Sequence, residues 1–333
     1  MYAKILKERA ESLKRMLIDS GVWDDSLEVL AEDDCILFPV TGKIGFDGVE
    51  YVEREGRLVE KKPKSLRHAL AGVLDAKLLD LTPSSFDIIG DIAVLDLDDQ
   101  LLSFKTVIGE KLIETFKNVN VALQKTGKVD SEYRVPSVEV IAGENRTTTV
   151  HKEHGLRYKL DVASCYFSPR SSAERLRIAG QVKAGERVLV MFAGVGPFAI
   201  LIARTSGASV TAVELNPSAV AFMRENVALN KVDVEVHGGD VRDIVPGLGK
   251  FDRILMPLPK SASRFFDIAL PALNPAGIVH YYIFTKNSLE ASGDAVENAY
   301  TLGYHVEVLG VHECGSYSPV FKRQCVDFRL KEK

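Results

Sequence analysis

The residue types and spacings with the clearest chemical content lie between Arg187 and Ala219, RVLVMFAGVGPFAILIARTSGASVTAVELNPSA. Val188–Phe192 reads as a buried strand, Gly194 and Gly196 as a turn, and Phe198–Arg204 as a helix. Ser209–Val213 reads as a second strand, closed by an acid, Glu214. This is the opening βαβ unit of a doubly wound sheet, in which a ligand lies at the carboxyl ends of the strands and an acid there accepts from ribose hydroxyls. Two cofactors fit that outline. Gly194, Gly196 and Ala199 satisfy the dinucleotide pattern G-x-G-x-x-G/A, but Pro197 deletes one of the N–H donors that hold a pyrophosphate at a helix N-terminus. S-adenosylmethionine carries a sulfonium and no phosphate, and it suits the turn better. Phe192, Gly194, Gly196, Glu214 and Asn216 form the candidate cofactor set.

Three further stretches carry chemistry. Asp240 follows Gly238-Gly239 at the end of a third strand, where its carboxylate can accept from an adenine amine and the Val241 N–H can serve a ring nitrogen. The same acid is also a natural helix cap. Pro257-Leu258-Pro259 follows the fourth strand, and two prolines around one residue make a rigid wall for a flat base. In Tyr166-Phe167-Ser168-Pro169-Arg170-Ser-Ser-Ala-Glu174, Ser168 and Pro169 open a helix on which Arg170 and Glu174 lie one turn apart. Spacing alone makes that pair a surface ion pair, and makes Tyr166 and Phe167 core residues. Residues 152–187 hold eight Lys/Arg against four acids, so Arg170 is also a candidate contact for a phosphate-bearing substrate.

The elements that must position these residues follow from periodicity. Strands alternating with helices, then a closing strand pair at His305–His312 and Gln324–Leu330, give an α/β, Rossmann-like sheet of seven strands over 161–333. An α+β domain precedes it at 66–160, with one helix over Leu66–Leu81. A small α/β domain occupies 1–60, opening on an amphipathic helix over residues 2–20 with Ile5, Leu6, Leu13, Met16 and Leu17 on one face.

Composition narrows the function classes. The chain has 333 residues, 46% of them hydrophobic, and a net charge of −4, so general adhesion to polyanions is not expected. Cys35, Cys165, Cys314 and Cys325 form no CxxC and no zinc spacing, so no metal site is expected. His151 and His154 lack a third ligand and read as surface histidines. The N-terminus is no signal peptide and no apolar run is long enough to span a bilayer, so the expectation is a cytoplasmic, monomeric protein without a membrane partner.

YFSPRSSAER, VLVMFAGVGPFAI, ELNP, FDRILMPLPKSA and the tail YSPVFKRQCVDFRL together resemble the archaeal/eukaryotic-type tRNA (guanosine-37-N1) methyltransferases, over most of the chain from about Phe86. The resemblance implies a class I methyltransferase sheet, S-adenosylmethionine as cofactor, and tRNA as partner through its anticodon loop and tertiary core, the core being checked by the N-terminal domain. It also implies Glu174 as the general base, Arg134 as the arginine that steadies O6, and Tyr166 beside cofactor and base. Two positions depart from the pattern: Val190 stands for the usual Asp, and Pro257 for the usual Asn. Loss of that amide widens what the pocket accepts, which brings in the relatives that methylate C7 of the wyosine precursor 4-demethylwyosine. The rival readings are a tRNA-binding protein with weak or no catalysis and a nucleotide-cofactor oxidoreductase.

Overall fold

The computed structural model describes residues 1–59, 63, 65–127, 135 and 137–331, and the chain divides into two compact units, Met1–Lys64 and Ser65–Lys333. The first unit is a four-stranded antiparallel sheet in the order β2-β3-β1-β4, from β1 (Tyr2–Leu6), β2 (Leu30–Glu32), β3 (Cys35–Pro39) and β4 (Glu50–Val52). Helix α1 (Ala10–Asp19) packs Leu13 and Leu17 onto Ala3, Ile5, Phe38 and Val40. The helix expected over 2–20 therefore begins as strand and is helical only from Ala10. Tyr2, Ala3 and Ile5 are buried because β1 is a central strand paired on both sides, and Leu6 and Met16 face out.

In the second unit, α2 (Leu66–Leu70) and α3 (Ala76–Leu81) replace the single helix expected over Leu66–Leu81. Gly72, at φ +90°, breaks it, and the Asp75 side chain caps the second piece by accepting from Leu78 N. Strands β5 (Asp87–Ile89), β6 (Ile92–Leu95), β7 (Val121–Lys125) and β8 (Val138–Gly143) form a mixed sheet with α4 (Lys105–Thr115) on the face that buries Ala93, Leu95 and Ala122. The opposite residues, Ile92, Val94, Val121 and Leu123, pack with the hairpin of β9 (Thr148–Glu153) and β10 (Leu156–Asp161).

The large sheet runs β13-β12-β11-β14-β15-β17-β16. Its strands are β11 (Arg187–Met191), β12 (Ser209–Glu214), β13 (Glu235–Gly238), β14 (Phe251–Met256), β15 (Leu273–Thr285), β16 (Val306–Ser316) and β17 (Lys322–Leu330). The first five in that order are parallel and β17 runs against its neighbours, so the expected seven-stranded Rossmann-like sheet is present, with its order reversing between β11 and β14. Alternate side chains face opposite layers. Val188 and Val190 meet α6 (Pro197–Thr205) and α7 (Pro217–Asn230), while Leu189 and Met191 meet α8 (Val241–Ile244), α9 (Phe266–Ala269) and α10 (Ser288–Thr301). No helix of the described residues is long and apolar enough to cross a membrane.

Helix α5 (Ser172–Ala179), which carries Glu174, is tied to the β9–β10 hairpin by a buried ion pair. Arg175 donates from Nε and Nη2 to the Glu153 carboxylate at 2.7 and 2.6 Å, and its guanidinium lies 5.1 Å from the Phe167 ring centroid. Burial pushes the Glu153 carboxyl up, but the hydrogen bonds and charges of Arg175 and His151 together more than reverse this and leave it at about 2. A carboxyl lowered in the fold stabilises it fully above the ordinary value of 4.5 and loses that contribution as pH falls toward 2. Glu153→Gln is expected to cost about 3–5 kcal/mol at neutral pH by urea denaturation, with the gap to the parent closing below about pH 4. A gap that stays constant down to pH 3 would contradict this role.

Candidate active site

The turn after β11 is built from left-handed backbone. Phe192 (φ +54°), Gly194 (φ +59°) and Gly196 (φ +89°) all lie there, which for Phe192 is a strained conformation. It is held by the Ala193 N–H, which donates to Val213 O at 3.1 Å, and by the Phe192 ring, edge-on to Phe265 at 4.9 Å. Gly196 also needs its hydrogen for space, because a Cβ there would stand 2.9 Å from Met223 Cγ. Pro197 follows as the first residue of α6.

Glu214 ends β12 with its carboxylate turned back on this turn. Oε2 accepts from Gly194 N at 2.7 Å and Oε1 from Asn216 N at 2.8 Å, while burial pushes the carboxyl up against those bonds and one from Leu215 N. Among the described residues these bonds leave at least one of the four lone-pair positions for a hydroxyl. Asn216 spends its side chain on structure: Oδ1 accepts from Ser218 N at the start of α7, and Nδ2 donates to Ser164 O at 2.7 Å. That second bond draws the 164–168 segment over the turn, where a Cβ on Gly194 would come 3.7 Å from the Tyr166 carbonyl oxygen. Tyr166 is 56% exposed, against the expectation of a core residue, whereas Phe167 is buried.

Asp240 caps α8 by accepting from Arg242 N at 2.9 Å, and it pairs with the Arg242 guanidinium, which with that bond holds its carboxyl below the usual range. Val241 is buried at the start of the same helix. After β14, Leu258 N donates to Met256 O at 2.8 Å and Leu258 O accepts from Ala262 N at 2.9 Å. Pro257-Leu258-Pro259 is therefore a wall whose one backbone donor is already committed.

The Arg170–Glu174 ion pair expected from spacing does not form. Arg170 Nε donates to Asp87 on β5 at 2.7 Å. Glu174 is 7% exposed and takes the Nε and Nη2 of Arg177 at 2.7 and 2.8 Å, and the Tyr282 hydroxyl at 2.7 Å. Among the described residues one lone-pair position, on Oε2, is left. Arg177 also donates from Nη1 to Asp327 at 2.6 Å, and Asp327 receives the His280 ring at 2.6 Å. His280 Nε2 lies 2.7 Å from Arg253, so its proton sits on Nδ1 toward Asp327, and Arg253 continues to Glu186 at 2.8 Å. Burial opposes charge at Asp327, yet the bonds from His280 and Arg177 hold its carboxyl far below the ordinary range, while burial pushes the His280 imidazole down.

His280, Cys325 and Asp327 stand close enough together to suggest ligands, but both His280 nitrogens are engaged and a buried arginine adjoins them. His154 is exposed, as expected of a surface histidine, with Nε2 3.1 Å from Ser172 O, whereas His151 is half-buried and its Nδ1 accepts from Gly90 N at 3.1 Å. Arg134 lies outside the described residues.

Tyr282 joins the two halves of the site. Tyr281 pairs with Met256, so Tyr282 stands just past the end of β14, and its ring lies 6.1 Å from Phe198 in the first turn of α6. Arg177, Tyr282, Asp327 and His280 do not stand out in the sequence. Arg177 sits at i+3 from Glu174, but its partner is 150 positions away.

Comparison with known proteins fits this geometry. The TRM5/TYW2 methyltransferase domain matches residues 149–308, and the TYW2 N-terminal domain matches 66–147. The tRNA (guanine(37)-N(1))-methyltransferase Trm5b of Pyrococcus abyssi is 39% identical, covering 99% of each chain. This chain belongs to the TRM5/TYW2 methyltransferase family. Within the family, the crystal structure of that Trm5b superposes with a TM-score of 0.82 at 38% identity, covering 99% of both chains. The structure of aTrm5 with tRNALeu gives 0.84 at 30% identity, covering 99% of this chain and 100% of that one. The tRNA 4-demethylwyosine(37)-methyltransferase Taw21 of Saccharolobus solfataricus is 36% identical over 59% of this chain and 76% of its own length.

Arg177→Met leaves two buried carboxylates, Glu174 and Asp327, without their shared cation. It is expected to lower stability by about 3–5 kcal/mol in urea denaturation at neutral pH. A loss below about 1 kcal/mol would show that the network does not hold this face together.

Proposed function

We propose that this protein methylates N1 of guanosine 37 in tRNA, with S-adenosylmethionine as methyl donor. The observation that supports it best is Glu174: a buried carboxylate, fixed by Arg177 and Tyr282, that among the described residues keeps one open lone-pair position. Its relatives named for that reaction, at 39% identity across the whole chain, support the same reading.

The residues at the turn suit this donor. Glu214 is set to accept from a ribose hydroxyl, Asp240 and Val241 edge the adenine corner, and Pro197 replaces an anion-binding N–H. Bound S-adenosylmethionine supplies an electrophilic methyl on its sulfonium. Guanine N1 carries a proton at neutral pH, and its lone pair becomes nucleophilic as that proton leaves. Glu174 Oε2 takes the proton, a step worth roughly 10²–10⁴-fold. Tyr282 stays a donor throughout, because burial pushes its hydroxyl well above the ordinary range. Negative charge develops on O6, where Arg134 is placed by family resemblance to meet it. Tyr166 and the Pro257-Leu258-Pro259 wall bound the base, and Arg170, turned toward Asp87, borders the approach. The unit Met1–Lys64 is assigned to the tRNA tertiary core; Arg9, Lys14 and Lys43 each stand over an aromatic ring there, which suits an RNA backbone.

A second substrate is favoured by one feature. Pro257 removes the amide expected after β14, and a donor-free wall admits the larger tricyclic 4-demethylwyosine, methylated at C7; the likeness to Taw21 points the same way.

Labelled methyl transfer to unmodified tRNA, followed by nucleoside analysis, is expected to give N1-methylguanosine at position 37. Glu174→Gln should lower the rate about 10²–10⁴-fold without altering S-adenosylmethionine binding by calorimetry. Undiminished transfer by this variant, or methylation elsewhere, would overturn the assignment. Transfer to tRNA bearing 4-demethylwyosine should give the C7-methylated product, and none would confine the enzyme to guanosine.

A further inference from the structure

The turn between β16 and β17 is held closed by its own hydrogen bonds. Tyr317 N and Ser318 N both donate to Phe321 O, at 2.9 and 3.1 Å, and Ser318 Oγ accepts from Val320 N and Phe321 N at 3.3 and 3.0 Å. With Pro319 inside, the turn is rigid. It nevertheless exposes three large apolar side chains, Tyr317 (57%), Val320 (57%) and Phe321 (40%). Nothing in folding requires such a tip to be aromatic.

Its surroundings are specific. The Tyr317 ring stacks on Phe284 at 4.4 Å between centroids, with 31° between planes. Phe284 lies near the carboxyl end of β15, the end of the sheet where β14 delivers Pro257-Leu258-Pro259. Lys260, next after that wall, places its Nζ 5.4 Å from the Tyr317 ring centroid. On the other side, β16 packs against the Pro169–Ser171 turn that carries Arg170. The tip therefore stands between the two segments that bound the candidate base, with a cation beside its one stacked ring.

We infer that Tyr317, seated on Phe284 and flanked by Lys260, is a stacking platform for a nucleobase of the substrate RNA adjoining the one methylated. This rests on the proposed tRNA reading and deepens it. A base taken out of its loop stack leaves its neighbours with an uncovered face. An exposed ring held rigidly by a second ring covers such a face at little entropic cost, and the Lys260 ammonium, which stands over the ring, moves to the adjoining phosphate as the base comes in.

The test uses the full chain and a tRNA transcript with 2-aminopurine placed in turn on each side of guanosine 37. Binding should change the fluorescence at one of these positions. Tyr317→Ala should abolish that change and raise KM for tRNA about ten-fold, while kcat at saturation and S-adenosylmethionine affinity stay within about two-fold. Tyr317→Phe, which keeps the ring, should restore both. Lys260→Ala should raise KM and flatten its salt dependence. If Tyr317→Ala binds and methylates tRNA like the parent with the fluorescence change intact, the platform is wrong and the methyltransferase reading stands. Failure of the parent to methylate guanosine would overturn that reading instead, and the fluorescence titration, which needs no transfer, still decides the platform.

Discussion

One guanidinium, that of Arg177, is shared inside the protein between two carboxylates from distant parts of the chain. Glu174 comes from the first turns of α5 and Asp327 from the last strand, and neither is more than 7% exposed. Two anions this close in a medium of low polarity repel strongly unless a cation stands between them. The arrangement therefore fixes α5 against the sheet in one orientation. From Asp327 a chain of hydrogen bonds crosses to His280, Arg253 and Glu186, spanning β17, β15 and β14. The residue proposed to take the substrate's proton is thereby held by side chains from two elements, Arg177 of α5 and Tyr282 of β15.

This construction explains how two remote segments share one site. The cofactor end depends on backbone: three left-handed residues, a carboxylate pinned by N–H groups, and a proline where an anion site would otherwise be. The base end depends on side chains spread over 150 positions of sequence. Tyr282 is common to both, with its hydroxyl on Glu174 and its ring on Phe198.

Much of this was legible in the residues and much was not, for physical reasons. The glycine turn, Glu214 and the strand–helix alternation are local patterns, and all lie where spacing places them. The helix expected over residues 2–20 failed because pairing of β1 on both sides outweighs helical propensity. Gly72 split Leu66–Leu81 because a left-handed residue cannot continue a helix. Glu174 was read from spacing as half of an exposed pair with Arg170; no local rule reveals that Asp327 supplies a counter-charge that turns Arg177, and with it Glu174, inward. Tyr166 reads as core from its type alone, yet it is exposed on the segment that the bond from Asn216 to Ser164 holds over the turn.

Arg177 and Tyr282 hold the Glu174 carboxylate in place and, among the described residues, leave one lone-pair position on Oε2, the one proposed to meet the purine. A structure of the protein with tRNA and the demethylated cofactor S-adenosylhomocysteine tests it directly. Glu174 Oε2 is expected within hydrogen-bond distance of guanine N1, with Arg177 and Tyr282 still on the carboxylate. Finding Glu174 buried away from the base, with another group of the protein on N1, would contradict it.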